Sequence, residues 1–201
     1  MGKLNTKETI IKEGARLIHA KGYNNTGLKE ILNAAGVPKG SFYFYFQNKE
    51  DFGLNVLESY AQFIQHKAVK YAGDKCIAPL ERLEHFFDAY QRHFKKLGFK
   101  FGCPIGNLMQ EMSDLSDTFR ARINTIYSRM QLFIEECLAD AQNRGDISQT
   151  IDINATAKFI IDSWEGAIMH MKLCKNEQPL EIFKQHVFRY ILTIESNRGV
   201  R

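Results

Sequence analysis

Two stretches of the chain carry residue types whose spacing could do chemistry. The first is Lys39-Gly40-Ser41-Phe42-Tyr43-Phe44-Tyr45-Phe46. On a helix of about 100° per residue, Phe42 and Phe46 share one face. Gly40, Ser41, Tyr43 and Phe44 fall on the other, with Lys39 at the leading end. Such a face is small, hydroxylated and aromatic. A glycine inside a helix costs about 1 kcal/mol relative to alanine, and what offsets that cost is close backbone approach to a partner. A helix that lies in the major groove of a duplex and contacts bases from its N-terminal end has that requirement. The competing reading is a short buried strand, since Phe-Tyr-Phe-Tyr-Phe alternates. No partner run lies nearby, and Gly36-Val37-Pro38 suits a hairpin poorly.

The second stretch is Phe99 to Glu111, FKFGCPIGNLMQE. Gly102, Pro104 and Gly106 make an irregular lead into a short helix around Ile105 to Met112. Cys103 then stands just before a helix N-terminus, where aligned peptide dipoles favour a thiolate. The alternative is a small packing residue beside a loop. The four cysteines, at 76, 103, 137 and 174, show no Cys-x-x-Cys and no ligand-like pairing with the six histidines. Neither a disulfide framework nor a metal site is expected. No paired nucleophile and base and no phosphate loop appear, so the sequence points away from an enzyme and requires no cofactor. A helical enzyme or carrier built around an aromatic cavity is the alternative from another functional class.

The elements that must position these residues read as helices. Thr6 to Lys21 repeats Ile11, Ala15 and Ile18, and Gly22 stops it. Thr26 suits an N-cap, Leu28, Ile31, Leu32 and Ala35 repeat at helical spacing, and Gly36 ends that helix through a left-handed backbone. Pro38 cannot extend it but is tolerated beside the start of the next helix. Two helices around a tight turn form a helix-turn-helix. Asn48 caps a further helix from Lys49 to about Tyr71, with Val56, Tyr60, Ile64 and Ala68 in one stripe. It connects this head to the rest of the chain, so a tilt of it moves the head.

Beyond it, Leu80, Leu83, Phe87, Tyr90, Phe94 and Leu97 make an amphipathic helix whose stripe becomes more aromatic with Phe86. Such a stripe suits a core or a ligand wall. Leu115 to Arg144 is a long helix stopped by Gly145. Asp152 caps another, Ile153 to about Lys175, with Ala157, Ile160, Trp164, Ile168 and Met171 on one face. Ile161, Ala167 and Met169 broaden its apolar surface, as in a helix buried on two sides. Pro179 opens the last helix, with Leu180, Phe183, Val187, Tyr190 and Ile194. Trp164 and His170 are candidate pocket residues, although each taken singly reads first as a core tryptophan and a surface histidine. Residues 196–201 form a polar tail.

The first fifty residues resemble the DNA-binding domain of the tetracycline-repressor (TetR) family of bacterial regulators. The resemblance rests on Ile11, Ala15, Gly22-Tyr23, Thr26, Ile31, Ala35-Gly36-Val37, Lys39-Gly40-Ser41, Tyr43, Tyr45-Phe46 and Lys49-Glu50, in order and spacing. It implies that Thr26, Tyr45 and Lys49 hold phosphates while Lys39, Gly40, Ser41, Tyr43 and Phe44 face the groove. Gly27 and Phe44 depart from the residues commoner at those positions. The stretch Gly102-Cys103-x-x-x-Asn107-Leu108, followed by Ser113-Asp114-Leu115-Ser116, resembles a subgroup that includes regulators responding to electrophiles or oxidants through this cysteine. The resemblance implies an all-α fold of about nine helices. It divides into a three-helix head over 1–48 and a ligand-binding and dimerisation bundle over 49–201. A small-molecule inducer would meet Cys103, Asn107, Tyr90, Phe94, Trp164 and Met171. A homodimer would form through the last two helices and present two heads to a palindromic duplex operator. On the residues alone, those last helices could equally complete a monomeric core.

Composition agrees with this reading. The chain has 201 residues, 44% hydrophobic and 25% charged, enough for a substantial core. No membrane span or signal peptide is apparent, which makes the cytoplasm the expected compartment. Net charge is +4, and the whole excess lies in the first fifty residues, which hold eight basic against four acidic side chains. Phosphate neutralisation needs its charge there.

Overall fold

The computed structural model describes residues 5–193. Among these residues the structure is all-helical: α1 (Thr6–Lys21), α2 (Leu28–Ala35), α3 (Lys39–Tyr45), α4 (Lys49–Ala72), α5 (Pro79–Lys96), α6 (Pro104–Met112), α7 (Asp117–Arg144), α8 (Ile153–Cys174) and α9 (Gln178–His186). A π-helical turn, Val187–Ile191, follows α9. The chain forms two compact units. One runs through Ile64 and takes in Cys103–Ile126; the other holds Gln65–Gly102 and the chain from Tyr127 onward. The boundary expected at residue 48 thus falls inside the first unit, because the first half of α4, α6 and the start of α7 pack with the head.

In the first unit, α1 begins with a capping box. Asn5 Oδ1 accepts from Glu8 N–H at 2.9 Å, and Glu8 accepts from Asn5 N–H at 3.1 Å. Its buried face is Ile10, Gly14, Leu17 and Ile18 rather than Ile11, Ala15 and Ile18, with Ile11 and Ala15 half-buried. The shift has a steric cause. A Cβ at Gly14 would stand 2.2 Å from Phe52 Cζ, so α1 meets α4 through a glycine, which apolar periodicity cannot register. Val56, Leu57, Tyr60 and Ile64 continue that face of α4. The Tyr60 hydroxyl donates to the Ala15 carbonyl at 2.5 Å. Burial, its largest influence, holds the Tyr60 phenol well above the ordinary tyrosine range.

Helix α2 ends as expected. Gly36 is left-handed, at φ 68°, and Val37 N–H closes on the Leu32 carbonyl at 3.1 Å. Asn48 caps α4 by accepting from Asp51 N–H at 2.8 Å. The long helix starts at Asp117, not Leu115. Ser116 accepts from Phe119 N–H at 3.1 Å and donates to Glu50 at 2.5 Å, fixing the start.

The second unit is built on aromatic rings. Phe87 lies 4.7 Å from Trp164 and 5.1 Å from Phe183, and Trp164 lies 5.0 Å from Phe183. A second run joins Phe86 to Tyr90 at 5.0 Å and to Phe133 at 4.9 Å. Such pairs add about 0.5–1.5 kcal/mol beyond area burial. Arg82, buried on α5, reaches Asp140 on α7 at 2.6 Å, and Lys75 meets the same carboxylate at 2.8 Å. These two bases hold the Asp140 carboxyl below its ordinary range. Asp152 caps α8, accepting from Ala155 N–H at 3.0 Å. The last helix is shorter than periodicity suggested, since α9 stops at His186 and the backbone widens into the π turn. Ile194 and residues 196–201 lie outside the described residues.

Candidate nucleic-acid interface

Helix α3 supplies the face that the sequence singled out. Phe42 is fully buried and Phe46, just past the helix, is 2% exposed. The two rings stand 5.1 Å apart and pack on Phe52 of α4 at 5.7 and 5.2 Å. This aromatic triad anchors a helix of only seven residues, too short to hold itself together in water. The opposite side is open. Phe44 is 82% and Tyr43 59% exposed, Lys39 and Gly40 are exposed, and Ser41 and Tyr45 are half-buried. A Cβ on Gly40 would meet nothing within 4 Å, so nothing inside the chain requires a glycine there. Phe44 rests edge-on against Tyr45, ring centroids 4.8 Å apart. Lys7 of α1 lies behind the helix, its ammonium 5.5 Å from the Phe46 ring centre.

Thr26 does not cap α2. The N-cap is Gly27, in extended conformation, and Thr26 is fully buried with its hydroxyl donating to the Gly22 carbonyl at 2.6 Å. Bridging its own turn satisfies the buried hydroxyl, so Thr26 braces the turn from inside. Lys49 is also turned inward. Its Nζ donates to the Tyr23 carbonyl at 2.9 Å and sits 4.5 Å from the Tyr23 ring centre. Partial burial lowers its pKa, an effect that Glu111 opposes. Burial, with Glu50 and Glu111 beside it, pushes the Tyr23 phenol up to about 12.

Sequence reasoning missed Glu111. Its carboxylate accepts from Tyr23 N–H at 2.8 Å and from Asn24 N–H at 2.7 Å. The 88 positions separating it from Tyr23 left no local signal.

The candidate effector residues divide. Cys103 is the N-cap of α6, its Sγ accepting from Gly106 N–H at 3.5 Å, and it is buried. Asn107 lies one turn on, half-buried, its N–H bonded to the Cys103 carbonyl. In the other unit, Tyr90 and Phe94 are neighbours on α5, rings 6.1 Å apart, with the Lys67 ammonium 4.9 Å from the Tyr90 ring centre. Burial and the nearby Lys70 and Lys96 lower the Lys67 pKa. Trp164, a pocket candidate that reads first as core, packs against Phe87 and Phe183 in the core, and Met171 on the same face is fully buried. Among the described residues no cluster of side chains could hold a metal ion, and no helix is long and apolar enough to cross a membrane.

Comparison with known proteins fits this geometry. Residues 10–54 match the family described as bacterial regulatory proteins, tetR family, and residues 79–187 match the tetracyclin repressor-like C-terminal domain. The chain is 38% identical over 186 residues to the transcriptional regulator AcuR of Cereibacter sphaeroides, covering 92% of this chain and 85% of that one. The crystal structure of a regulatory protein TetR from Rhodobacter sphaeroides superposes with a TM-score of 0.86 at 38% identity, over 91% of this chain and 97% of the other. That of the Escherichia coli repressor NemR, in its reduced form, does so with a TM-score of 0.80 at 26% identity, over 96% and 100%. The two matched domains, in this order and over most of the chain, lead to one conclusion: the protein belongs to the TetR family of DNA-binding transcriptional regulators.

Proposed function

We propose that the chain is a homodimeric repressor that binds a palindromic operator and is released by an inducer. The observation that carries this reading is the outward face of α3. Lys39, Gly40, Tyr43 and Phe44 stand exposed on a helix locked from behind by Phe42 and Phe46. In a major groove, Tyr43 offers a hydroxyl to base edges, and the bare ring of Phe44 can contact only a thymine methyl among the groove's distinguishing groups. Lys39, exposed at the leading end, is the phosphate contact on this helix. Tyr45 flanks it, and Lys49 reaches a phosphate only by leaving the Tyr23 carbonyl.

A second apolar face supports the dimer. Phe159, Ser163, Gly166 and His170 repeat at helical spacing along α8, opposite its buried stripe, and border a groove with Ile182 and His186 of α9. Phe159 and Ile182 are more than half exposed, as is Tyr190 in the π turn. A contiguous apolar surface of this kind marks an interaction site. A two-fold pairing of α8 and α9 with their copies covers it and presents two recognition helices to two half-sites.

Induction requires an effector with different affinity for the two states of the dimer. Tyr90 and Phe94 are the proposed ligand contacts and Cys103, at the start of α6 in the Gly-Cys-x-x-x-Asn-Leu pattern, the proposed electrophile or oxidant sensor. Selection of duplexes from a random-sequence pool by the full chain tests the central reading, the expected product being a two-fold symmetric site bound in a salt-sensitive manner. Failure to enrich any sequence rejects it. Thiol titration with mass mapping tests the sensor separately. Cys103 is expected to react faster than the exposed Cys76 and Cys174, and a rate at or below theirs removes the sensor role. Cys137, whose thiol burial pushes up to about 11, is the unreactive reference.

A further inference from the structure

One peptide group in the turn between α1 and α2 is held from both sides by opposite charges. The N–H of the Tyr23–Asn24 peptide donates to Glu111 Oε1 at 2.7 Å, and its carbonyl accepts from Lys49 Nζ at 2.9 Å. The other Glu111 oxygen takes the preceding N–H, of Tyr23, at 2.8 Å. Glu111 crowds the place that a side chain at residue 22 would take. Its carboxylate oxygens lie 3.0 and 3.2 Å from where a Cβ would stand, and Gly22 is held at φ 90°. Thr26, whose hydroxyl bonds the Gly22 carbonyl, completes the turn that delivers the chain into α2. All these groups belong to the first compact unit.

We infer that Glu111 is a positioning residue for DNA reading. It touches no DNA itself, but sets the α1–α2 turn by holding the N–H side of a peptide whose carbonyl Lys49 holds, so that the helix-turn-helix stands in the orientation that reads bases. This rests on the proposal that α3 is the recognition helix. Carboxylate hydrogen bonds to backbone N–H groups are charge-assisted and stronger than neutral ones, and two of them converge on adjacent amides here. Glu111 is also an anion within the DNA-binding unit, so electrostatics and positioning predict opposite signs. Removing the charge alone strengthens binding to every duplex. Loosening the turn weakens binding only where the bases must be read.

The test compares the full-length wild type with Glu111→Gln and Glu111→Ala. The probes are the duplex that the wild-type chain selects from a random pool and an unselected duplex of equal length, with Gln110→Ala as control. For Glu111→Ala we expect roughly a tenfold or greater loss of affinity for the selected duplex. Glu111→Gln, which keeps one acceptor, should lose less. Both should bind the unselected duplex as well as wild type or better. Amide exchange at Tyr23 and Asn24 should accelerate in step with the loss.

The inference is overturned if both variants hold the selected duplex within about twofold of wild type. It is equally overturned if affinity for the two probes falls in the same proportion, which is the mark of structural damage alone. Should Glu111→Ala not fold, Glu111→Gln decides by the same criteria. A wild-type chain that selects no sequence refutes the recognition-helix reading itself, and the inference with it. A wild type that selects while the variants match it refutes only the role of Glu111.

Discussion

Two surfaces of this protein expose large aromatic side chains, and the residues around those side chains differ. On α3, Tyr43 and Phe44 project beside Lys39, Gly40 and Ser41, in the part of the chain that holds the whole net positive charge. On α8 and α9, Phe159 and Ile182 project beside Gly166 and two histidines, with Tyr190 exposed in the π turn that follows and no comparable charge excess. Exposure of apolar area is common to both. What separates them is the polar company, since a cation and hydroxyls suit a polyanion with patterned edges, whereas small and aliphatic neighbours suit a second copy of the same surface. The neighbours of an exposed aromatic, more than its exposure, indicate which partner would suit it.

The largest effect expected comes from undermining one surface alone. Phe42→Ala removes the ring that seats α3 on Phe46 and Phe52, at about 3–5 kcal/mol. It should abolish sequence-selective binding while leaving the sedimentation behaviour of the dimer proposed through α8 and α9 unchanged. Loss of assembly as well would break the comparison. Next in size, Phe159→Glu combined with Ile182→Glu places like charges on the proposed dimer face. Sedimentation equilibrium should show monomers, and affinity for a two-half-site duplex should collapse toward that for a single half-site.

Smaller effects sharpen the reading of α3. Tyr43→Ala should cost about 1–3 kcal/mol against the selected duplex and little against unrelated sequence. If Phe44 contacts a thymine methyl, replacing one thymine of each half-site by deoxyuridine should weaken wild type but not Phe44→Ala. A duplex scan in which no uracil substitution separates the two proteins removes that contact. Smallest of all, Lys39→Ala should lower the slope of log affinity against log salt by about 0.9. Lys49→Ala should lower it less, because its ammonium is engaged with the Tyr23 carbonyl. An equal change for both would mean that Lys49 swings out onto phosphate.

Much of this was legible in the chain order. The glycine stop at residue 36, the caps at Asn48 and Asp152, and the split of α3 into a phenylalanine face and an open face follow from local rules of backbone and periodicity. So does the concentration of charge in the head. These features depend on residues a few positions apart, and the sequence records such relations directly. Thr26 shows the limit of that logic. A hydroxyl before a helix reads as a cap, yet here it serves the Gly22 carbonyl behind it and leaves the cap to Gly27.

Tertiary structure alone decided the rest. Gly14 is a contact point because Phe52 arrives there, Lys49 is drawn inward because Tyr23 offers both a carbonyl and a ring, and the core partners of Trp164 are Phe87 and Phe183 because packing brings α5 and α9 to it. The grip of Glu111 on the Tyr23–Asn24 peptide belongs to the same class. A side chain's chemistry is fixed by its type, but its partner is fixed by which distant segment packing brings within three ångströms. No spacing rule along the chain encodes that distance.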